Sequence, residues 1–158
     1  MTSKQLLRAE LATIVRAELE AAETAHRTTM AGATHAEAKP ENDKDTRALE
    51  QSYLARGQAA RVQEIRDGLA EIEQMPLRSF GEGALVALGA LVTVDDGEAE
   101  KVYFIAPYGG GAKLDAGKIH VITPKAPLGR ALVGKREGDS CEVTLAGKPR
   151  ELEITGVA

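Results

Sequence analysis

The sequence predicts an α+β protein: an N-terminal antiparallel two-helix coiled-coil stalk followed by a small antiparallel-sheet domain. Three observations predict it. Residues 1–76 hold three Gly and two Pro, whereas residues 77–158 hold thirteen Gly and four Pro, and these two residue types break helices and build turns. Val62, Ile65, Leu69 and Ile72 are spaced 3-4-3, the spacing of a seam between two packed helices. In the second half, apolar residues alternate with polar ones, as in half-buried strands. The stalk is therefore placed at residues 1–76, with its tip at about 33–45, and the sheet domain at residues 77–158.

Each element has its own reason. Residues 1–31 contain no Gly or Pro and are rich in Ala, Glu, Leu and Arg. Thr2 with Gln5 forms a capping box that starts the first helix. Leu7, Leu11, Ile14 and Val15, then Glu18/Leu19, Ala22 and Ala25, recur at helical spacing. The second helix runs from about Asp43 to Met75 and stops at Pro76. Gly57 and Gly68 inside it each cost about 1 kcal/mol relative to Ala. At 1.5 Å per residue each helix is about 45 Å long. The short linker Gly32–Asn42 folds the two back antiparallel. In the second half, Ala84–Val94 ends at Asp95-Asp96-Gly97, a tight-turn sequence, and Lys101–Ala106 returns as its hairpin partner. Lys118–Thr123 is a further strand, and Pro127–Val133 is a one- to two-turn helix with Pro at its first position. Cys141, Val143 and Leu145 point inward along one strand, and Leu152 and Ile154 along the last.

Composition excludes several functions. Aromatics are only 3%, with no Trp, which disfavours a base-stacking nucleic-acid binder and an aromatic-lined ligand pocket. A net charge of −4 excludes binding to nucleic acid through phosphate contacts alone. A single cysteine, Cys141, excludes an internal disulfide framework and a multi-cysteine zinc site. The longest apolar run, Ala84–Val94, is interrupted by Gly89 and too short to span a bilayer. The acids of the N-terminal segment interrupt any signal-peptide core. A cytoplasmic protein with no membrane contact is expected.

The candidate chemistry lies at the tip. Residues 34–45 concentrate four carboxylates: Glu37, Glu41, Asp43 and Asp45. Asp43 and Asp45 fit the start of the second helix, where acids meet the helix dipole and Asn42 caps it. The alternative is that the arm delivers carboxylates to magnesium, a hard cation that takes oxygen ligands. Arg47, Arg56, Arg61 and Arg66 along the second helix are either a solvated face with i,i+4 partners or a strip that contacts phosphates or an acidic protein wall. The Tyr108–Lys113 loop is glycine-rich, but Leu114 follows Lys113 where a phosphate-binding loop needs Ser or Thr. Cys141 reads as a structural thiol, and His26, His35 and His120 are scattered.

Pro127-Leu-Gly-Arg-Ala-Leu-Val-Gly-Lys135, followed by Glu137-Gly-Asp139, resembles the S-P-L-G-R-A-L-L-G-K…G-D segment of the bacterial Gre transcript-cleavage factors. Cys141-Glu-Val, Gly147-Lys148 and Leu152-Glu-Ile154 match that family's closing strands. Glu41-Asn42, followed sixteen residues later by Gly57, is similar to its S-E-N…G pattern. The resemblance implies that the sheet domain is FKBP-like and docks on bacterial RNA polymerase, with Arg130 and Lys135 as candidate docking residues. It implies that the stalk enters the polymerase's secondary channel, with Arg47 and Arg56 facing polymerase or nascent RNA. It further implies that Glu41, helped by Glu37, Asp43 and Asp45, shares a magnesium ion with the polymerase active site. The chain would hold no cofactor alone and would not itself be the enzyme; the polymerase would cut backtracked RNA. A monomer is expected. One departure is prominent: the family tip reads D-L-S-E-N, and here Ala38-Lys39-Pro40-Glu41-Asn42 replaces it. The alternative reading is thus a channel-occupying regulator without cleavage stimulation. An FKBP-type prolyl isomerase would need an aromatic pocket built from Phe80, Tyr103, Phe104 and Tyr108. An adaptor that clamps with the stalk would need apolar exposure at the distal end, which reads as Ala, Thr and acid.

Overall fold

The computed structural model describes the backbone of residues 3–37 and 43–158, and the side chains of residues 3–32 and 46–158. The element order is α1 (Ser3–Glu37), α2 (Asp43–Gln74), β1 (Leu91–Asp95), β2 (Glu100–Ile105), β3 (Lys113–Leu114), β4 (Ile119–Ile122), α3 (Pro127–Leu132), β5 (Ser140–Leu145) and β6 (Lys148–Val157). The chain divides into two compact units, one of residues 1–13 with 70–158 and one of residues 14–69. Among the described residues no helix is long and apolar enough to cross a membrane.

Residues 14–69 form an antiparallel helical hairpin. The antiparallel sense follows from which residues meet: Glu23 pairs with Arg66 at 3.2 Å, and a Cβ at Gly32 would lie 3.6 Å from the Gln51 side chain. Val15, Ala55, Val62, Ile65 and Leu69 are buried, as their spacing requires. The inward stripe of α1 departs from expectation beyond Ala22. Ala25 is exposed and His26 is half-buried in its stead. Helix α1 also continues through Gly32 to Glu37 rather than ending at Ala31, because no proline interrupts it before Pro40.

The other unit is built on a six-stranded sheet of order β3-β4-β2-β1-β6-β5. The expected hairpin is present: β1 and β2 pair antiparallel from Leu91↔Phe104 to Asp95↔Glu100. Two expectations are corrected. The sheet is not wholly antiparallel, since β4 runs parallel to β2, from Val102↔Ile119 to Ile105↔Ile122. The glycine-rich connection crosses over before pairing and itself contributes the short strand β3. The apolar run from Ala84 is also a strand only from Leu91 onward. Gly89 stands at φ +87°, and a Cβ there would come within 2.9 Å of the Pro76 carbonyl oxygen. That left-handed turn prevents an extended run.

One face of the sheet carries Val92, Val94, Tyr103, Ile105, Val143, Leu152 and Ile154, packed with Leu128 and Leu132 of α3. Phe104, between Tyr103 and Ile105 on β2, is fully buried, and so is its β4 partner Val121. Leu7, Leu11, Ile72 and Met75 are buried in the same unit. Its helical segments are tied in by hydrogen bonds. Arg8 donates to the Met75 carbonyl at 2.9 Å. The Asp115 amide donates to Glu10 at 3.1 Å. The Lys4 ammonium donates to the carbonyls of Arg78 and Ala158 at 2.7 and 2.8 Å. Leu6, by contrast, is exposed.

The β1–β2 turn shows why its sequence is acidic. Asp95 accepts from the Gly97 amide at 2.8 Å, and Asp96 accepts from Glu98 and Ala99, both at 2.9 Å. The Ala99 and Glu98 amides hold the Asp96 carboxyl below the usual carboxylate range, and Lys101 and Arg150 add to this. A carboxyl depressed on folding contributes stability that is present above its unfolded pKa and lost as pH falls through its folded value. Asp96→Asn should therefore lower the urea midpoint at neutral pH and narrow the gap to wild type on acidification. A gap that stays constant from pH 7 to pH 3 would refute this role.

Candidate functional site

The segment 127–139 forms an exposed basic rim on a rigid frame. Pro127 opens α3, after the extended Ala126 at φ −69°, ψ 153°. Leu128, Gly129 and Leu132 face the core, so Arg130 points to solvent. Gly129 is tightly enclosed by backbone. A Cβ there would fall 1.8 Å from the Thr123 carbonyl oxygen, which no side chain tolerates. The Gly134 amide donates to the Val86 carbonyl at 2.9 Å, and the Val86 amide donates to the Lys135 carbonyl at 2.7 Å. Asp139 accepts from the Arg136 amide at 2.9 Å. Gly138, at φ +93°, donates to the Ile154 carbonyl. The backbone of the motif is thus pinned at both ends, while the Arg130 and Lys135 side chains are exposed. Leu85 and Val133 are exposed beside the two clasped residues, so the rim combines cations with apolar surface.

The other predicted residues are placed as follows. Glu41 lies outside the described residues, as do the side chains of Glu37, Asp43 and Asp45. Arg47 and Arg56 are both exposed on α2, but nine residues place them half a turn apart around the helix. They do not form one strip. Arg56 lies over the Tyr53 ring, 5.5 Å from its centroid. Arg61 pairs with Glu64 at 3.2 Å on the same helix, and Arg66 pairs with Glu23 across the hairpin. Among the described residues no group of three or more His, Cys, Asp or Glu is placed to hold a metal.

Several other features find structural roles. The Gly111 amide donates to the Val121 carbonyl, and the Val121 amide donates to Ala112, so the glycine-rich loop spends these groups on the sheet edge. Burial pushes the Cys141 thiol up against the opposing influence of Lys135, which keeps it a thiol and a poor nucleophile. Tyr103 and Phe104, needed for a proline pocket, are taken up by the core. His120 packs its ring 5.9 Å from that of Tyr103. The distal hairpin is more apolar outside than its sequence implied: Met30, Leu49, Tyr53 and Leu54 are exposed. The signal was available in the spacing, since none of the three α2 residues falls on the seam that continues from Ile72 and Leu69.

A pinned basic rim on a sheet unit, together with a helical hairpin, defines the class. The family model described as "Transcription elongation factor, GreA/GreB, C-term" matches residues 83–158. Transcription elongation factor GreA of Xanthomonas axonopodis pv. citri (strain 306) is 33% identical over 120 residues, covering 75% of this chain and 72% of the relative. GreA of Beijerinckia indica subsp. indica is 37% identical over 100 residues, covering 62% of this chain and 60% of the relative. Among solved structures, GreA factor homolog 1 (Gfh1) of Thermus thermophilus is 17% identical with a TM-score of 0.41, covering 93% of this chain and 94% of that one. The chain belongs to the GreA/GreB family of transcription elongation factors.

Proposed function

We propose that this chain binds RNA polymerase at its secondary channel and, through its tip carboxylates and magnesium, stimulates cleavage of backtracked RNA. The observation that carries the reading is the 127–139 rim. It is the segment most specific to the family, and its exposed Arg130 and Lys135 stand on a backbone that Gly129, Gly134 and Asp139 hold fixed. A fixed backbone favours docking on an acidic partner surface, since little loop ordering remains to be lost on binding.

The acidic sequence of residues 37–45 suits a hard cation, because Glu37, Glu41, Asp43 and Asp45 offer only oxygen ligands. Glu41 is the residue of this chain assigned to the shared magnesium. When bound, that ion supplies an activated water and charge stabilisation for phosphodiester hydrolysis. The chain's own part is to present Glu41 and to hold its position through docking. A second reading rests on Ala38, which stands where the family has aspartate: the chain occupies the channel and slows nucleotide addition without promoting cleavage.

The docking half is tested by charge reversal. Arg130→Glu with Lys135→Glu should weaken binding to core polymerase by tenfold or more, with the melting temperature within about 2 °C of wild type, because exposed substitutions usually stay within about 0.5 kcal/mol. Undiminished binding in a fluorescence titration would remove these residues from the interface.

A further inference from the structure

The seam of the helical hairpin changes character along its length. One end is closed by apolar burial: Val15, Val62, Ile65 and Leu69 are buried. Further along, from residue 16 to residue 32 of α1, no residue is buried, and among residues 46–61 of α2 only Ala55 is. The inward positions of α2 keep their 3-4 spacing through this stretch, but they are Gln51, Ala55 and Gln58.

Three polar atoms here are buried without a hydrogen-bond partner: Oε1 of Gln51, Oε1 of Gln58 and, on α1, Nδ1 of His26. A buried polar atom without a partner keeps the full cost of leaving water. That cost vanishes when the helices part, so it acts against the closed seam alone. Packing does not offset it. A cleft of about 400 Å³ lies beside His26, lined on α2 by Ala59 and Val62, and atoms that face a gap lose their contacts on that side. The Glu23–Arg66 pair crosses the seam at this level, but both groups are largely open to solvent, and such pairs hold little. Helices as short as these distal stretches are marginal in water without an apolar face to pack.

We propose that the hairpin is a two-stage arm, in which residues 22–32 and 46–58 part and close again as a unit of their own while Val15, Val62, Ile65 and Leu69 stay packed. Gln51, Gln58 and His26 are the release, because they stand where apolar side chains would lock the seam. One pair of helices thereby has a stiff base and a yielding far part. This is a property of the free chain and does not rest on the polymerase reading.

The test is native-state hydrogen exchange on the full-length chain alone, resolved by residue. Amides of residues 51–58 should exchange about a hundredfold faster than those of 62–69, since the free energy of local opening sets the rate. Gln51→Leu with Gln58→Leu should slow the 51–58 amides about tenfold or more, and Leu matches Gln in helix propensity, so the slowing reports the seam. His26→Leu should slow the same α2 amides from the opposite helix, an effect that propensity cannot produce. Ala60→Leu, on the exposed side of α2, should leave them unchanged. Equal exchange in the two stretches would make the hairpin one cooperative unit and overturn the proposal. So would unchanged exchange in both seam variants, or slowing by Ala60→Leu as large as theirs.

Discussion

Replacing Glu41 with alanine is expected to abolish the shortening of RNA in a backtracked polymerase complex while leaving binding to the polymerase intact. A carboxylate that positions a reacting water or its metal is worth about 10²–10⁴-fold in rate. In the proposed reading docking is assigned to the Arg130–Lys135 rim and not to Glu41, so the two readouts separate. The assay follows transcript length with magnesium present, and binding is measured in the same sample. Ala38→Asp, which restores the family carboxylate, should raise the cleavage rate above wild type. A wild-type chain that binds but never shortens the transcript would select the channel-occupying reading. Equal cleavage by wild type and Glu41→Ala would remove Glu41 from its assigned role.

The second large effect is structural. Gly129→Ala should destabilise the sheet unit by about 3 kcal/mol or more, at the upper end of overpacking costs. The new methyl would overlap the Thr123 carbonyl oxygen at 1.8 Å, and its neighbours are backbone atoms that cannot rotate away. Either α3 shifts off the core, exposing Leu128 and Leu132, or the turn at Thr123 opens. Both outcomes displace Arg130. Urea denaturation should show a markedly lower midpoint, with polymerase binding lost alongside it. An unchanged midpoint would mean that α3 can move without consequence. Gly134→Ala is the milder comparison: no atom lies within 4 Å of a Cβ there, and only the backbone angle of +85° opposes it.

Much of this architecture was legible because it is local. The 3-4-3 spacing at Val62–Ile72, the Asp-Asp-Gly turn and the Pro-initiated α3 each declare themselves within a few residues. What was not legible depends on distant partners. Nothing in Lys118–Thr123 says that it will lie parallel to β2, because that choice is made by how the preceding loop crosses. The turn at Gly89 is set by the Pro76 carbonyl, thirteen residues away. In the hairpin, His26 took the inward position expected of Ala25, four residues beyond Ala22 rather than three. For the candidate site, the rim residues were found through the motif, but the reason for its glycines appeared only when Thr123 was placed against Gly129. The apolar face of α2 was missed because Ala-rich surroundings masked three scattered residues. The carboxylates between the helices were read from sequence alone, and Glu41 lies outside the described residues.

The unit that contains the sheet takes residues from both extremes of the chain, with Lys4 bonded to the carbonyl of Ala158. This bears on the order of assembly. Residues 14–69 form a compact unit of their own and can close without the rest of the chain. The segment that carries the buried Leu7 and Leu11 is instead tied through Lys4 to Ala158, next to β6, which pairs with β1. Contacts of such wide sequence separation form slowly. The segment that carries Leu7 and Leu11 is therefore among the last to find its place.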